Sequence, residues 1–211
     1  HKTPLANTFR VIHFDFSGID ADLFTEGFVA NVRDGLLDFS IRNAFPKGSE
    51  ILEKRYLSPT LLLTDFLFVY KQHFKEPIYL IIDEYDQGAN EVLATNFESF
   101  QNLTRSGGTL KTFYSKIKDF AAKGTIARVF ITGVTTIQLD SMTSGFSIAD
   151  NLTTNPEFAT MFGFTESELR NLIPQIVDLK KLGKTLEEVF SRMREWYNGY
   201  CFNPDTQKSV F

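Results

Sequence analysis

Two adjacent carboxylates, Asp83 and Glu84, followed by a third at Asp86, are the side chains of this sequence best spaced to do chemistry. A carboxylate can hold a hard divalent cation through its oxygens, or act on the proton of a water. The acids follow Ile78-Tyr79-Leu80-Ile81-Ile82, an unbroken apolar run behind Pro77 that reads as a short strand buried on both faces. Such runs belong to parallel sheets covered by helices. The carboxyl edge of a parallel sheet is where open α/β folds place their ligands. Successive strand residues point to opposite sides, so Asp83 and Glu84 are expected to do different jobs. The plainer alternative is a buried strand running into an acidic loop.

Other elements must position that pair. Residues 126–131 read as a second buried strand after Gly124, tipped by Thr132-Gly133. Thr132 is then either a polar group presented at the sheet edge or a residue that simply closes a strand. Residues 9–16 read as a further strand ending at Ser17-Gly18, with His13 as a core or sheet-face histidine and Asp15 near the carboxyl end. Apolar residues recur at helical spacing from Phe24 through Phe28, Val32, Leu36 and Phe39, with Gly35 and Ser40 as points where the helix would divide. Pro46-Lys47-Gly48-Ser49 is expected to end that segment. Ser58-Pro59 supplies an N-cap with proline in the first turn, opening a helix to about Phe74.

Gln87-Gly88 reads as a loop, 91–103 as one helix, Ser106-Gly107-Gly108 as a turn and 109–122 as another helix. From 134 to 155 the chain looks irregular. A short helix from Asn155-Pro156 to Gly163 follows. Two capping boxes come next: Thr165-Glu166-Ser167-Glu168, for a helix to Ile173 that Pro174 ends, and Thr185-Leu186-Glu187-Glu188, for a helix ending near Trp196. The expectation is an α/β core over 1–140. An irregular connection and a small helical, lid-like subdomain would occupy 141–211.

Composition narrows the function classes. The 211 residues carry a net charge of −4 and no dense basic tract, which gives no support to broad nucleic-acid binding. No apolar run reaches membrane-spanning length. Cys201 is the only cysteine, so no intrachain disulfide can form and an intracellular setting, cytoplasmic or nuclear, is expected, with secretion of the parent protein as the alternative. His13, His73 and Cys201 lie far apart in sequence for a zinc site, and Ser/His/Asp catalysis has no elbow motif. The count of 22 Phe points to an aromatic core.

The acidic strand end resembles the Walker B element of P-loop nucleotide hydrolases. In those enzymes the Asp helps hold Mg²⁺ and the Glu polarises the attacking water. The wider series resembles the AAA-ATPase-like family, often fused to a PD-(D/E)XK nuclease-like domain. Its matching pieces are Ile81-Ile82-Asp83-Glu84-Tyr85-Asp86, Phe130-Ile131-Thr132-Gly133-Val134, Ser144-Gly145-Phe146, Phe162-Gly163-Phe164-Thr165-Glu166-Ser167-Glu168 and Trp196-Tyr197-Asn198-Gly199-Tyr200. The resemblance implies a three-layer P-loop NTPase-like parallel sheet flanked by helices, with a small C-terminal helical appendage. It also implies Mg²⁺ and ATP as cofactors. Asp83 would be the metal and cofactor ligand, Glu84 the water-activating base, and Thr132 a sensor touching both cofactor and chemistry. Tyr85 and Asp86 complete the acidic tetrad. Nucleic acid would be met only by a separate nuclease-like domain.

One departure is sharp: no Gly-x-x-x-x-Gly-Lys-Ser/Thr occurs anywhere in the sequence, so the Walker A loop that holds the triphosphate is missing. The strand feeding that loop would be missing too, leaving a gap in the centre of the sheet. The expectation is a truncated ATPase-like module, inactive alone, whose ATP hydrolase activity belongs to a full-length parent bearing the loop. The alternative is a non-catalytic protein-interaction or effector module on a degenerate NTPase fold. Direct nuclease action by Asp83, Glu84 and Asp86 ranks below both, because no Lys follows at the required spacing.

Overall fold

A computed structural model describes residues 4–134 and 150–197. The chain divides into two compact units, His1–Ala149 and Asp150–Phe211. The first holds three strands, β1 (Arg10–Asp15), β2 (Ile78–Asp83) and β3 (Ile126–Ile131). They pair in parallel in the order β1-β2-β3, with Asp15 opposite Asp83 and Ile82 opposite Ile131. The expected central gap is not found among the described strands, because β2 is hydrogen-bonded on both sides. This is an α/β fold with a parallel sheet flanked by helices.

Between β1 and β2 run α1 (Phe24–Arg42), α2 (Pro46–Leu52) and α3 (Pro59–His73). Between β2 and β3 run α4 (Gln87–Thr95), α5 (Phe97–Thr104) and α6 (Thr109–Ala122). Both connections step across the sheet in the same direction. Crossovers of the one favoured hand therefore set their helices on the same face. Accordingly α3 packs against both α1 and α6. The helix-covered face is dry: Ile12, Phe14, Ile78, Leu80 and Ile82 are all buried. On the other face Tyr79, Ile81 and Asp83 are half-buried, and Val11, His13 and Asp15 are exposed. The apolar run of β2 was expected to be buried on both faces. Its burial alternates instead, since helices of these two connections cover one side only.

Aromatic rings fill the space under those helices. Phe28 lies between Phe16, at 4.5 Å between centroids, and Phe113, at 4.9 Å, in tilted and edge-on arrangements. A second group joins Phe39, Phe45, Phe66, Tyr70 and Phe74. Half of the 22 phenylalanines are thus core.

Several local expectations are corrected. Helix α1 runs unbroken through Gly35 and Ser40, because Gly35 sits where a Cβ would strike the His13 carbonyl and the Phe14 ring. The Ser40 hydroxyl donates to the Leu36 carbonyl at 2.8 Å, within the same helix. Pro46 starts α2 rather than ending a segment, proline being at home in a first turn. Gln87-Gly88 opens α4. The helix expected over 91–103 is two helices, parted at Asn96, whose extended backbone lets its side chain cap Ser99 at 2.9 Å. Helix α3 begins as expected, with the Ser58 hydroxyl accepting from the Leu61 N–H.

The second unit contains a 3-10 turn (Pro156–Phe158), shorter than the helix expected to run to Gly163, and helices α7 (Glu166–Ile176), α8 (Leu179–Leu182) and α9 (Leu186–Tyr197). Both capping boxes form. Thr165 and Glu168 exchange bonds at the start of α7, and Thr185 and Glu188 do so at the start of α9. Pro174 lies inside α7 rather than ending it, two residues before the helix stops at Ile176. Leu169, Ile173 and Phe190 make a small core, with the Arg170 guanidinium 4.5 Å over the Phe190 ring. The segments Ser144-Gly145-Phe146 and Asn198-Gly199-Tyr200, and Cys201, lie outside the described residues.

Gly35 offers a test of sign. In an exposed helix, Gly to Ala stabilises by about 1 kcal/mol. Here the added methyl meets β1, so Gly35→Ala is expected to destabilise by roughly 1–3 kcal/mol in urea denaturation.

Candidate functional site at the sheet's carboxyl edge

The ends of three parallel strands converge by construction, and each exit is held by its own set of bonds. After β1, the Asp15 carboxylate accepts from the Ser17 N–H at 2.9 Å. That bond, with a further one from the Ser17 side chain, holds its carboxyl below the ordinary carboxylate range. Asn31 of α1 reaches back to donate to the Asp15 carbonyl at 2.9 Å and the Ser17 carbonyl at 3.1 Å. The turn is thereby fixed to the helix that follows it.

The exit of β2 is gripped from both sides. The Asp83 carbonyl accepts from the Phe16 N–H at 3.1 Å, and the Tyr85 N–H donates to the Thr132 carbonyl at 3.1 Å. Glu84 lies between these two pinned peptides. It takes a left-handed backbone with φ 50°, uncommon for a residue with a side chain. Its carbonyl accepts from the Gln87 N–H at 3.2 Å as the chain turns into α4.

Asp83 and Thr132 are brought into contact, the Thr132 hydroxyl donating to Asp83 Oδ1. The same oxygen accepts from the Glu84 N–H at 3.0 Å. Asp83 Oδ2 accepts no hydrogen bond among the described residues and is left to face a further partner. Asp15, in register with Asp83, ends its strand on the same face. Glu84 is separated from this row by its turn. Its half-buried carboxylate accepts no hydrogen bond among the described residues. It borders an open cleft of about 530 Å³ shared with Ser17, Gln87, Asn90, Glu91 and Val134. The two acids thus have different surroundings, one braced and one free.

The other two members of the tetrad face inward. Tyr85 is 5% exposed and Asp86 fully buried. Asp86 accepts from the Val134 N–H at 3.1 Å and from Asn90 Nδ2 at 3.0 Å. Sequence reasoning missed this role, which depends on a turn 48 positions away. The one available signal was Gly133, where a Cβ would run into Asp86 Oδ1 and the Tyr85 ring.

Asp83, Glu84 and Thr132 supply only oxygen donors, the set a hard cation such as Mg²⁺ prefers. Mg²⁺ keeps several waters and takes one or two carboxylates plus substrate oxygens, so it does not require a protein cage. Among the described residues no group of three His, Cys, Asp or Glu side chains is arranged to hold a metal by itself. His13 lies on the open face of the sheet, while the His73 ring packs 4.9 Å from Phe45. A separate hollow of about 420 Å³ at the opposite end of the sheet is bordered by Asn7, Phe9, Arg10, Asn43 and Glu76. Arg10 there is already bonded to Asn43 and Glu76, both at 2.9 Å, and Arg42, which also lines it, to Asp38 at 2.7 Å. Among the described residues no helix is long and apolar enough to cross a membrane.

Compared with known proteins, the chain matches a family model described as Predicted AAA-ATPase over residues 1–143, more than half its length. No curated protein and no solved structure matches it.

The left-handed turn at Glu84 makes its own prediction. A residue with a Cβ pays about 1–2 kcal/mol for this conformation, and glycine does not. Glu84→Gly is therefore expected to be more stable than Glu84→Ala by about 1 kcal/mol in chemical denaturation; equal stabilities would contradict the strained turn.

Proposed function

The chain belongs to the AAA-ATPase-like family, and on that premise we propose that it carries the metal-and-water side of a nucleotide-hydrolysing site. Asp83 organises Mg²⁺ beside ATP, Glu84 polarises the attacking water, and Thr132 is the sensor of the γ-phosphate or of the attacking water. The contact between Thr132 and Asp83 at the sheet edge carries this reading, because it joins two elements far apart in sequence at the place where such chemistry would occur.

The residues divide the work by their surroundings. One oxygen of Asp83 is fixed by Thr132 and by the Glu84 backbone, so the carboxylate is oriented before anything binds. Its second oxygen is available to a cation or to that cation's water. Asp83 would hold Mg²⁺, which would supply neutralisation of the negative charge developing on the phosphates. Glu84, free of hydrogen bonds within the described protein and open to the cleft, can accept from a water and orient it for in-line attack. Thr132 has its hydroxyl proton committed to Asp83, so it offers an acceptor to a water beside the phosphate through a braced, not a rotating, side chain.

The phosphate-holding part of the site is assigned to sequence beyond these 211 residues, since no complete Gly-x-x-x-x-Gly-Lys-Ser/Thr loop occurs within them; Gly183-Lys184-Thr185 lacks the first glycine, with Asp178 in its place, and follows a short helix rather than a strand. ATP affinity and turnover are thus properties of the full-length protein, and the 211 residues alone bind nucleotide weakly. Contact with nucleic acid, where it occurs, is given to a separate nuclease-like domain. A second reading, a binding platform on a degenerate NTPase fold, is favoured by the same missing loop and by exposed Phe68 and Phe97.

Titration calorimetry and steady-state turnover on the full-length protein separate the two. Glu84→Gln is expected to lower kcat by about 10²–10⁴-fold while ATP still binds, and Asp83→Asn to weaken the dependence on Mg²⁺. Wild-type turnover in Glu84→Gln would overturn its assignment. A full-length protein with a glycine loop but no ATP affinity would favour the platform.

A further inference from the structure

Asp86 is the most enclosed acid at the sheet edge, with 0% of its surface exposed. A carboxylate buried to that degree persists only where its oxygens are satisfied. Both are, and by different segments. Oδ1 takes the Val134 N–H at 3.1 Å, in the turn that leaves β3. Oδ2 takes the Asn90 amide at 3.0 Å, one turn into α4. Gly133 closes over the same carboxylate so tightly that a Cβ there would collide with Asp86 Oδ1 and with the Tyr85 ring. Tyr85 in turn donates its N–H to the Thr132 carbonyl at 3.1 Å. The turn of residues 132–134 is therefore clasped at both ends by the chain that follows Glu84.

We propose that Asp86 is a positioning residue that locks the turn of residues 132–134 onto the start of α4, and so sets the Thr132 hydroxyl against Asp83. The inference rests on the hydrolytic reading above. Asp86 is not a catalytic residue, because its carboxylate is sealed from the cleft that Glu84 borders. Its charge also reaches α6, where the Tyr114 hydroxyl is pushed well above its ordinary pKa, by burial first and by Tyr85 and Asp86 after it. Aspartate suits the place because each of its two acceptor oxygens meets an N–H donor. Alanine offers none, while asparagine keeps one acceptor for Val134 and can recover the second contact if the Asn90 amide turns over. The arrangement couples the two strand ends, so disturbing it displaces Thr132 without removing any group that touches nucleotide.

The test uses the full-length protein with Asp86→Ala, Asp86→Asn and Val134→Pro. Val134 is 82% exposed, so its replacement removes the N–H donor without opening the core. Asp86→Ala and Val134→Pro are each expected to lower kcat by about 10²-fold with KM for ATP little changed, and Asp86→Asn to recover most of the rate. Amide exchange at Thr132 and Gly133 should quicken in both damaged variants while the melting transition stays cooperative. Should Asp86→Ala fail to fold, Val134→Pro decides. Full kcat in a folded Val134→Pro protein, or equal losses in kcat and KM that asparagine does not relieve, would overturn the positioning role. A wild-type protein that hydrolyses no nucleotide would instead remove the functional reading. Exchange at Thr132 and Gly133 would then decide alone, with quickened exchange upholding the clasp and unchanged exchange sinking it.

Discussion

Parallel pairing of β1, β2 and β3 is the constraint from which the rest follows. Parallel neighbours cannot be joined by a tight turn; the chain must travel back along the sheet, and here helices carry it. With the strands in sequential order and a fixed hand of crossover, those helices gather on one face. That single fact explains why β2 alternates in burial although its sequence is apolar throughout. It also explains why three strand ends, separated by dozens of residues, open side by side at one edge. Asp15, Asp83 and Thr132 meet there because the topology leaves their strands nowhere else to finish.

Convergence alone would give a loose cluster of polar groups. The backbone bonds at each exit turn it into defined geometry. Phe16 N–H to the Asp83 carbonyl and Tyr85 N–H to the Thr132 carbonyl prolong the sheet's pairing one residue past the strands on either side of β2. Glu84 must then reverse direction within one residue, and it does so with φ 50°. A strained backbone of this kind survives only where its neighbours over-determine it. The surrounding bonds do so, and the result is a carboxylate on a cleft that its neighbour Asp83 does not line.

Much of this was legible in sequence. All three strands were marked by apolar runs ending in acids, threonine or glycine, and α6 was bracketed by Gly108 and Gly124. Three of the misreadings share a cause. Gly35, Gly48 and Gly88 look like breaks, yet each lies within a helix where a Cβ would crowd a neighbour: the Phe14 ring and His13 carbonyl, the Phe45 ring and Ser40 hydroxyl, and the Ile19 and Phe24 side chains. Glycine required by close packing and glycine required by a turn are the same letter. Only the approach of another element distinguishes them, and that approach is tertiary. Asp86 was opaque for a similar reason. Its spacing from Asp83 suggested a third reactive acid, whereas its partners, Val134 and Asn90, are set by how β3 and α4 meet.

Three carboxylates within four residues thus end in three environments. Asp83 is half-buried and braced through one oxygen, Glu84 borders an open cleft with no hydrogen bond to it among the described residues, and Asp86 is enclosed with both oxygens engaged. Alternation along an extended strand would have set Asp83 and Glu84 on opposite faces of the sheet, putting one of them under the helices. The left-handed turn avoids that: it lifts Glu84 over the edge and lets Asp86 descend into the interior in its place. Burying Asp86 is tolerable because the exit of β3 and the first turn of α4 both present N–H groups to it. The interior acid therefore steadies the edge on which the two outer acids stand, and the division among them originates in the backbone of a single residue.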